Sequence, residues 1–143
     1  MKRTATANWQ GGLKNGKGTV STESSTLSNT QYSFVSRFEQ GTGTNPEELV
    51  AAAHAGCFSM ALSAQLESSG MIPDSIETKC TLTFEKKDTG WQVTESHLDV
   101  AVRIPGADRA KFEEAANNAK SGCPISKLLN TKITMDAKLV ATA

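Results

Sequence analysis

The 143-residue sequence has no excess of charge, because its 15 lysines and arginines balance its 15 aspartates and glutamates. Surfaces that bind nucleic acids or anionic membranes are basic, so we expect neither partner. No uninterrupted apolar run approaches the roughly 20 residues of a membrane span. No apolar segment follows the basic start of the chain, so we expect no secretory signal and a cytoplasmic location.

The sequence also lacks a Cys-x-x-Cys motif, and its three cysteines are an odd number. A secreted scaffold held by disulfides would prefer an even number of closely spaced cysteines, so we do not expect this class of protein. The two histidines, His54 and His97, lie in unrelated segments. We therefore expect no metal site and no cofactor. The length fits a single domain covering residues 1–143.

Alternating apolar positions predict a meander of strands in the first 40 residues, including a strand over residues 32–39 with Arg37 on the face opposite Phe34 and Phe38. Asn45-Pro46, followed by two acidic residues, predicts a helix that runs to about residues 68–70. This helix carries no charge from residue 50 to 65, so it is expected to be central and buried on most sides.

In the second half of the chain, the pattern of apolar residues predicts two strands, then a helical segment, then a last strand. The expected elements are strands over 75–87 and 91–104, helices over 108–120 and 124–129, and a strand over 133–139. Strands that are segregated from helices in this way are typical of an α+β fold with a mainly antiparallel sheet.

Cys57 and Cys123 occupy settings that a merely buried cysteine does not need. Cys57 lies about ten residues inside the long helix, where the field of the helix N-terminus has faded and burial would raise the pKa of the thiol. Cys123 precedes Pro124 and is expected to cap a short helix, where backbone N–H groups favour a thiolate. The pattern suggests a redox pair that the fold brings together, although both cysteines can also be structural.

A reactive Cys57 needs a nearby cation, and Arg37 is the candidate because a guanidinium is always charged and offers several donors in one plane. Glu47, in the first turn of the long helix, is expected to pair with Arg37 and fix its orientation. The alternative is that Arg37 is a solvated strand residue with no role in a site.

Two other classes of function compete with a redox pair. His54 lies three residues before Cys57 on the same helix face, which permits a Cys/His hydrolase, although a histidine packed between elements is the favoured interpretation. The chain can also be a non-enzymatic dimeric binding module for a small apolar ligand. Such a pocket would be lined by Trp9, Phe34, Phe38, Phe58 and Met60, which can equally be core. Cys80 alternates with Leu82 and is expected in the core.

The sequence resembles the OsmC/Ohr family, and most closely its OsmC (osmotically inducible protein C) branch. The resemblance rests on the spacing from Thr44-Asn45-Pro46-Glu47 to Cys57 and on the later Cys123-Pro124 pair. The matching stretches are 16–24, 36–39, 43–49, 52–62 and 119–126.

The resemblance implies an antioxidant, stress-related enzyme that reduces organic hydroperoxides, and hydrogen peroxide less well. Cys57 matches the peroxidatic cysteine and Cys123 the resolving one, so a Cys57 sulfenic acid and a Cys57–Cys123 disulfide are implied. Arg37 matches the active-site arginine and Glu47 the glutamate that orients it. The resemblance also implies an intertwined homodimer with long central helices, a dithiol or lipoyl-protein reductant, and no metal, flavin or haem.

Overall fold

The computed structural model describes residues 1–141. Contacts divide them into two compact units, the first comprising Met1–Leu49 and the second beginning at Val50. The strands are β1 (Ala5–Gln10), β2 (Lys17–Thr22), β3 (Thr30–Tyr32), β4 (Ser75–Lys87), β5 (Gly90–Arg103) and β6 (Lys132–Leu139). The helices are α1 (Phe34–Phe38), α2 (Pro46–Ser68), α3 (Arg109–Gly122) and α4 (Pro124–Leu128).

The first unit contains an antiparallel sheet in the order β1-β2-β3, as the alternating sequence predicted. Gly18 in β2 lies between two aromatic side chains, because a Cβ there would come within 2.5 Å of the Tyr32 ring and 2.6 Å of the Trp9 ring. Only glycine lets these rings approach each other, and their centroids are 5.4 Å apart.

The strand predicted over residues 32–39 is wrong, because the chain leaves β3 after Tyr32 and forms the short helix α1. A capping box starts this helix: the Ser33 hydroxyl accepts from the N–H of Ser36, and the Ser33 N–H donates to the Ser36 hydroxyl at 2.8 Å. Arg37 therefore lies in the last turn of a helix, not on a strand face opposite Phe34 and Phe38.

α2 begins where the sequence predicted, since the Asn45 side chain accepts from the N–H of Glu48 at 2.7 Å. Its buried positions recur every four residues and form one stripe. They are His54, Phe58, Leu62 and Leu66. The helix is long and apolar enough to cross a membrane by length and composition alone, contrary to the sequence expectation. One such helix is weak support for a membrane span, because core helices meet the same criteria.

The second unit is built on a sheet in the order β4-β5-β6. β4 and β5 pair antiparallel with a register shift at Thr83/Phe84, whereas β5 and β6 pair parallel. A parallel pair needs a crossover of a dozen or more residues, and the segment that contains α3 and α4 supplies it.

Alternate residues of β5 point into the core of the second unit, as their period of two predicted. Asp108 caps α3 by accepting from the N–H of Lys111, and the buried face of α3 completes this core. The buried apolar side chains are those of Phe58, Leu62, Leu66, Met71, Leu98, Val100, Val102, Ile104, Phe112, Ala115, Ala116, Ala119 and Cys123. Cys80 packs against them while remaining partly exposed.

Candidate active site

The second unit brings Cys57 and Cys123 together, with their Sγ atoms 2.7 Å apart, although 66 positions separate them in the chain. Cys57 lies on α2 and is half-buried, and Cys123 is fully buried at the junction of α3 and α4. Both are free thiols. At this separation the two sulfurs can share one proton in an S–H···S⁻ contact, and a small movement would join them in a disulfide.

The surroundings shift the pKa values of the two thiols in opposite directions. Burial raises the pKa of Cys57, the contact with Cys123 raises it further, and the N–H of Ile125 lowers it in part. Burial also raises the pKa of Cys123, but hydrogen bonding with Cys57 and from Ile125 and Ser126 outweighs burial and lowers that pKa overall. The two thiols are in direct contact and therefore titrate as a pair.

Cys123 is the N-cap residue of α4, with Pro124 in the first helical position, as the sequence predicted. Its side chain makes no capping hydrogen bond of ordinary geometry. The backbone N–H groups of Ser126 and Ile125, in the first turn of this helix, lower the pKa of its thiol.

Next to this pair lies a buried polar network centred on His54. Nδ1 of His54 is 2.7 Å from Oγ of Ser96, and Nε2 is 2.8 Å from Oγ of Ser126. All three side chains are buried. Cys80 extends the network, with its Sγ 3.2 Å from Oγ of Ser96. Burial lowers the pKa of His54, so the imidazole is held neutral.

This network confirms that His54 packs between elements. Each ring nitrogen bonds a serine hydroxyl, one on β5 and one on α4, so neither nitrogen is left to serve Cys57 as a general base. The Cys/His hydrolase is therefore disfavoured, since its base must be within hydrogen-bond reach of the nucleophile.

Arg37 and Glu47 come together in the first unit, as predicted. Nε of Arg37 donates to Oε1 of Glu47 and Nη2 donates to Oε2, each at 3.0 Å. The two parallel bonds fix the plane of the guanidinium, and its Cζ also lies 5.1 Å from the centroid of the Phe38 ring. The Glu47 side chain is only 17% exposed, which limits competition from water.

Arg37 also lines a cleft of about 280 Å³ in the first unit. Most of its wall is aromatic or aliphatic. The lining residues are Trp9, Leu13, Tyr32, Ser33, Phe34, Arg37 and Phe38. Of the five side chains predicted to line a pocket or form core, three line this cleft, Phe58 is core, and Met60 is 78% exposed.

Among residues 1–141, one group of three possible metal ligands comes together, and it was not predicted. His97 Nε2 lies 3.2 Å from Oδ1 of Asp99 and 3.3 Å from Oδ2 of Asp136, at the exposed face of β5 and β6. Nδ1 of His97 contacts the Thr134 hydroxyl at 2.6 Å. Both carboxylates are exposed, and exposed acidic groups commonly cluster in this way without a metal.

Two residues of the buried network, Ser96 and Ser126, were missed by sequence reasoning. Ser96 interrupts the apolar face of β5 that continues through Leu98 and Val100, and a hydroxyl inside an apolar alternation is a signal of a buried polar partner. Ser126 lies three residues after Cys123, the position from which a side chain reaches back to an N-cap.

Comparison with known proteins agrees with this arrangement. A family model described as "OsmC: OsmC-like protein" matches residues 39–138, more than half of the chain. The chain belongs to the OsmC-like family. It is 48% identical over 133 residues to "Peroxiredoxin OsmC" of Escherichia coli (strain K12), covering 93% of each chain.

Other members of the family share both sequence and fold with this OsmC-like chain. It is 36% identical over 102 residues to the organic hydroperoxide resistance protein OhrB of Bacillus subtilis (strain 168), covering 71% of each chain. The crystal structure of OhrB of Bacillus subtilis aligns with a TM-score of 0.69, 27% sequence identity, and coverage of 94% of this chain and 98% of that one. The α+β fold with mainly antiparallel sheets is therefore that of the OsmC/Ohr proteins.

Proposed function

We propose that this chain is a thiol-dependent peroxidase that reduces organic hydroperoxides to alcohols, with hydrogen peroxide as a poorer substrate. The observation that carries the proposal is the 2.7 Å separation of the Cys57 and Cys123 sulfurs. The names of the relatives, a peroxiredoxin and an organic hydroperoxide resistance protein, support this reaction.

In the proposed reaction Cys57 is the peroxidatic cysteine and Cys123 the resolving one. Cys57 is partly exposed whereas Cys123 is 0% exposed, so a peroxide from solvent meets Cys57 first. A buried thiol with a lowered pKa is suited to the second step, because it attacks a partner that is already in contact with it.

The electrons and atoms balance over three steps. The Cys57 thiolate attacks the terminal oxygen of the hydroperoxide, the O–O bond breaks, and the leaving alkoxide takes a proton and departs as the alcohol. Cys57 is then a sulfenic acid, which the Cys123 thiolate attacks to form the disulfide and release water after protonation. A dithiol, free or as a lipoyl group on a protein, supplies two electrons and two protons and restores both thiols.

The first step needs negative charge on Cys57, although burial and the contact with Cys123 raise the pKa of this thiol. We assign the correction to Arg37, whose guanidinium would stabilise the Cys57 thiolate and hold the peroxide oxygen. Glu47 would hold that guanidinium in one orientation through the two 3.0 Å bonds.

The aromatic cleft beside Arg37 supports the preference for organic substrates. An alkyl group that enters this cleft gains about 0.8 kcal/mol for each CH₂ that leaves water, and hydrogen peroxide has no such group. We expect the preference for alkyl hydroperoxides to increase with chain length until the cleft is full.

We also propose that the active form is a homodimer joined through the exposed face of α2. This face carries no charge between Ala52 and Ala64 and consists of small side chains around Met60. Its exposed residues recur every four positions: Ala52, Gly56, Met60 and Ala64. An uncharged stripe with a glycine lets a second copy of α2 approach closely, and a methionine fills irregular gaps.

We treat residues 1–143 as one functional OsmC-like domain, since the family match over 39–138 crosses the boundary between the two compact units. We propose a cytoplasmic location, where reducing thiols keep a catalytic pair of cysteines in its active dithiol form. No role for nucleic acid, a membrane, a metal or a cofactor is part of the proposal.

The decisive experiment follows the consumption of cumene hydroperoxide and hydrogen peroxide by stopped flow with a dithiol reductant. We expect faster consumption of cumene hydroperoxide, loss of activity in Cys57→Ser, and an unresolved sulfenic acid in Cys123→Ser. Cys80→Ser is the matched control, because it makes the same atomic change and retains a hydrogen-bond donor. Unreactive thiols and no Cys57–Cys123 disulfide after treatment would instead indicate a binding module.

Mixing two inactive variants tests whether Arg37 acts across a dimer. Arg37→Ala and Cys57→Ser are co-expressed with different affinity tags, and the mixed dimer is purified through both. If the arginine of one copy serves the cysteine of the other, one intact site forms and about half of the activity per dimer returns. If it acts within its own copy, the mixed dimer remains inactive.

A further inference from the structure

The side chain of Asn45 bonds the main chain of two helices at once. Its Oδ1 accepts from the N–H of Glu48, in the first turn of α2, at 2.7 Å. Its Nδ2 donates to the carbonyl of Ser36, in α1, at 3.0 Å. The first N–H groups and the last carbonyls of a helix have no partner inside that helix. One amide therefore satisfies the start of α2 and the end of α1 together.

The partners of this amide decide which of its atoms donates and which accepts. A backbone N–H can only donate, and a backbone carbonyl can only accept. If the amide were turned over, Nδ2 would face the N–H of Glu48 and Oδ1 would face the carbonyl of Ser36, and both hydrogen bonds would be lost. The direction of both bonds is therefore fixed by main-chain groups.

Ser36 is held a second time by the residue before Asn45. Its hydroxyl donates to the carbonyl of Thr44 at 2.8 Å, and Ser36 is only 7% exposed. The N–H of Thr44 in turn donates to the carbonyl of Gln31, in β3, at 2.9 Å. Two consecutive residues, Thr44 and Asn45, thus attach α1 to a segment that is itself bonded to the sheet of the first unit.

These attachments lie directly beside the ion pair of Arg37 and Glu47. Ser36 precedes Arg37, so the bond from Asn45 holds the peptide group that joins Ser36 to Arg37. Glu47 lies in the helical turn that Asn45 caps. The two parallel bonds of the pair, each 3.0 Å long, form only when the guanidinium and the carboxylate are aligned. The pair is therefore sensitive to the position of α1 relative to the first turn of α2.

Resting on the proposed function, we propose that Asn45 is a positioning residue that aligns Arg37 with Glu47 for the first chemical step. In that step the oriented guanidinium stabilises the Cys57 thiolate and holds the peroxide. Asn45 acts only through the ion pair. The second step, in which Cys123 attacks the sulfenic acid, therefore does not depend on it.

Two substitutions remove the bond to α1 and keep the cap on α2. Aspartate and serine cap helices about as well as asparagine, but neither carries an N–H₂ group. Asn45→Asp preserves the shape of the side chain and places an acceptor against the carbonyl of Ser36, and Asn45→Ser adds no charge. Asp108→Asn is the matched control, because it makes the reverse exchange at the cap of α3, where Asp108 accepts from the N–H of Lys111.

The first test uses the reduced protein and needs no peroxide. Side-chain ¹H–¹⁵N spectra report the Nε–H of Arg37, which is assigned with Arg37→Lys. In Asn45→Asp and Asn45→Ser we expect this signal to shift toward the position of a solvated arginine, and in Asp108→Asn we expect the wild-type position. A wild-type signal in both Asn45 variants would overturn the inference, because the ion pair would then form without the bond to α1.

The second test separates the two chemical steps by rapid quenching with a thiol alkylating agent and mass spectrometry. With cumene hydroperoxide as substrate, we expect sulfenic acid formation to slow about fivefold in both Asn45 variants, the net effect of one lost hydrogen bond. Formation of the disulfide from the sulfenic acid should keep its wild-type rate, as should both steps in Asp108→Asn. Equal slowing of both steps would mean that Asn45 only supports the fold.

A double variant tests whether Asn45 acts through the ion pair. Effects of residues in one hydrogen-bond network do not add, whereas effects of independent residues do. Asn45→Ser combined with Glu47→Gln should therefore slow sulfenic acid formation about fivefold, as each single variant does. Slowing by about 25-fold, the product of the two single effects, would show that Asn45 acts independently of the pair and would exclude the positioning role.

Failure of this inference and failure of the proposed function give different results. If no sulfenic acid forms on Cys57 in the wild-type chain, the peroxidase proposal is wrong, and the Arg37 spectrum still decides whether Asn45 holds the ion pair. If the wild-type chain reacts but Asn45→Ser forms sulfenic acid at the same rate, the peroxidase stands and the positioning role is excluded.

Discussion

Oxidation to the Cys57–Cys123 disulfide should stabilise the fold by an amount that follows from the separation of the two cysteines. The bond would close a loop of 66 positions, which removes conformations from the unfolded chain. The chain-entropy relation gives about 4 kcal/mol for a loop of this length at 25 °C. For a chain of this size, that free energy corresponds to an increase in Tm on the order of 10 °C.

The assay compares urea unfolding of the reduced protein with that of protein treated with one equivalent of cumene hydroperoxide. Both samples are kept at one protein concentration, because the stability of a dimer depends on it. Cys123→Ser, treated in the same way, forms no loop and should gain no stability. The reasoning is refuted if mass mapping shows the disulfide but the oxidised protein unfolds at the same urea concentration as the reduced one.

Three further outcomes are expected. Glu47→Gln should lower kcat/KM for cumene hydroperoxide about fivefold, because the lost ion pair with Arg37 is partly exposed and contributes about 1 kcal/mol. Glu48→Gln, in the same helical turn, is the control and should have little effect. Met60→Glu should weaken dimer formation roughly a hundredfold in analytical ultracentrifugation, because it buries an unpaired carboxylate in the proposed dimer interface. An unchanged dimer would exclude α2 from that interface. Cys123→Ser should move the pH profile of Cys57 alkylation to lower pH, because contact with Cys123 adds to burial in raising the pKa of Cys57 and the thiolate is the reactive form. A shift to higher pH would show that this contact lowers the pKa instead.

Much of the fold could be predicted from sequence because its long elements follow simple periods. α2 begins at a cap and a proline that are visible in the sequence, and the apolar alternation of β5 matches its buried face. The junction at Cys123 was also predictable, since a proline after the cysteine starts a new helix. These features depend on local chemistry, which a single sequence contains.

The short elements were harder to predict because local signals conflict there. Residues 32–38 alternate like a strand, yet Ser33 and Ser36 satisfy each other's backbone and favour a helical turn. A capping box normally carries Glu or Gln at its third helical position, so the serine pair gave no clear signal. The short helix changes the setting of Arg37 but preserves its pairing with Glu47.

The buried network could not be predicted because its members are distant in the chain. His54 and Ser126 are 72 positions apart and meet only through the packing of α4 against α2. A histidine in an apolar helix indicates that a polar partner exists, but the sequence does not say which one. Side-chain packing, rather than periodicity, therefore determines which groups surround the sulfur pair.

The break between α3 and α4 has a mechanical consequence. At Cys123 the backbone has φ −56° and ψ 127°, so the helical ladder is interrupted at the residue that carries the sulfur. The N–H of Cys123 donates to the carbonyl of Ala119 in α3, and its carbonyl accepts from the N–H of Lys127, so both helices hold the backbone that carries the sulfur. The crossover that the parallel strands require thus also anchors Cys123 beside Cys57.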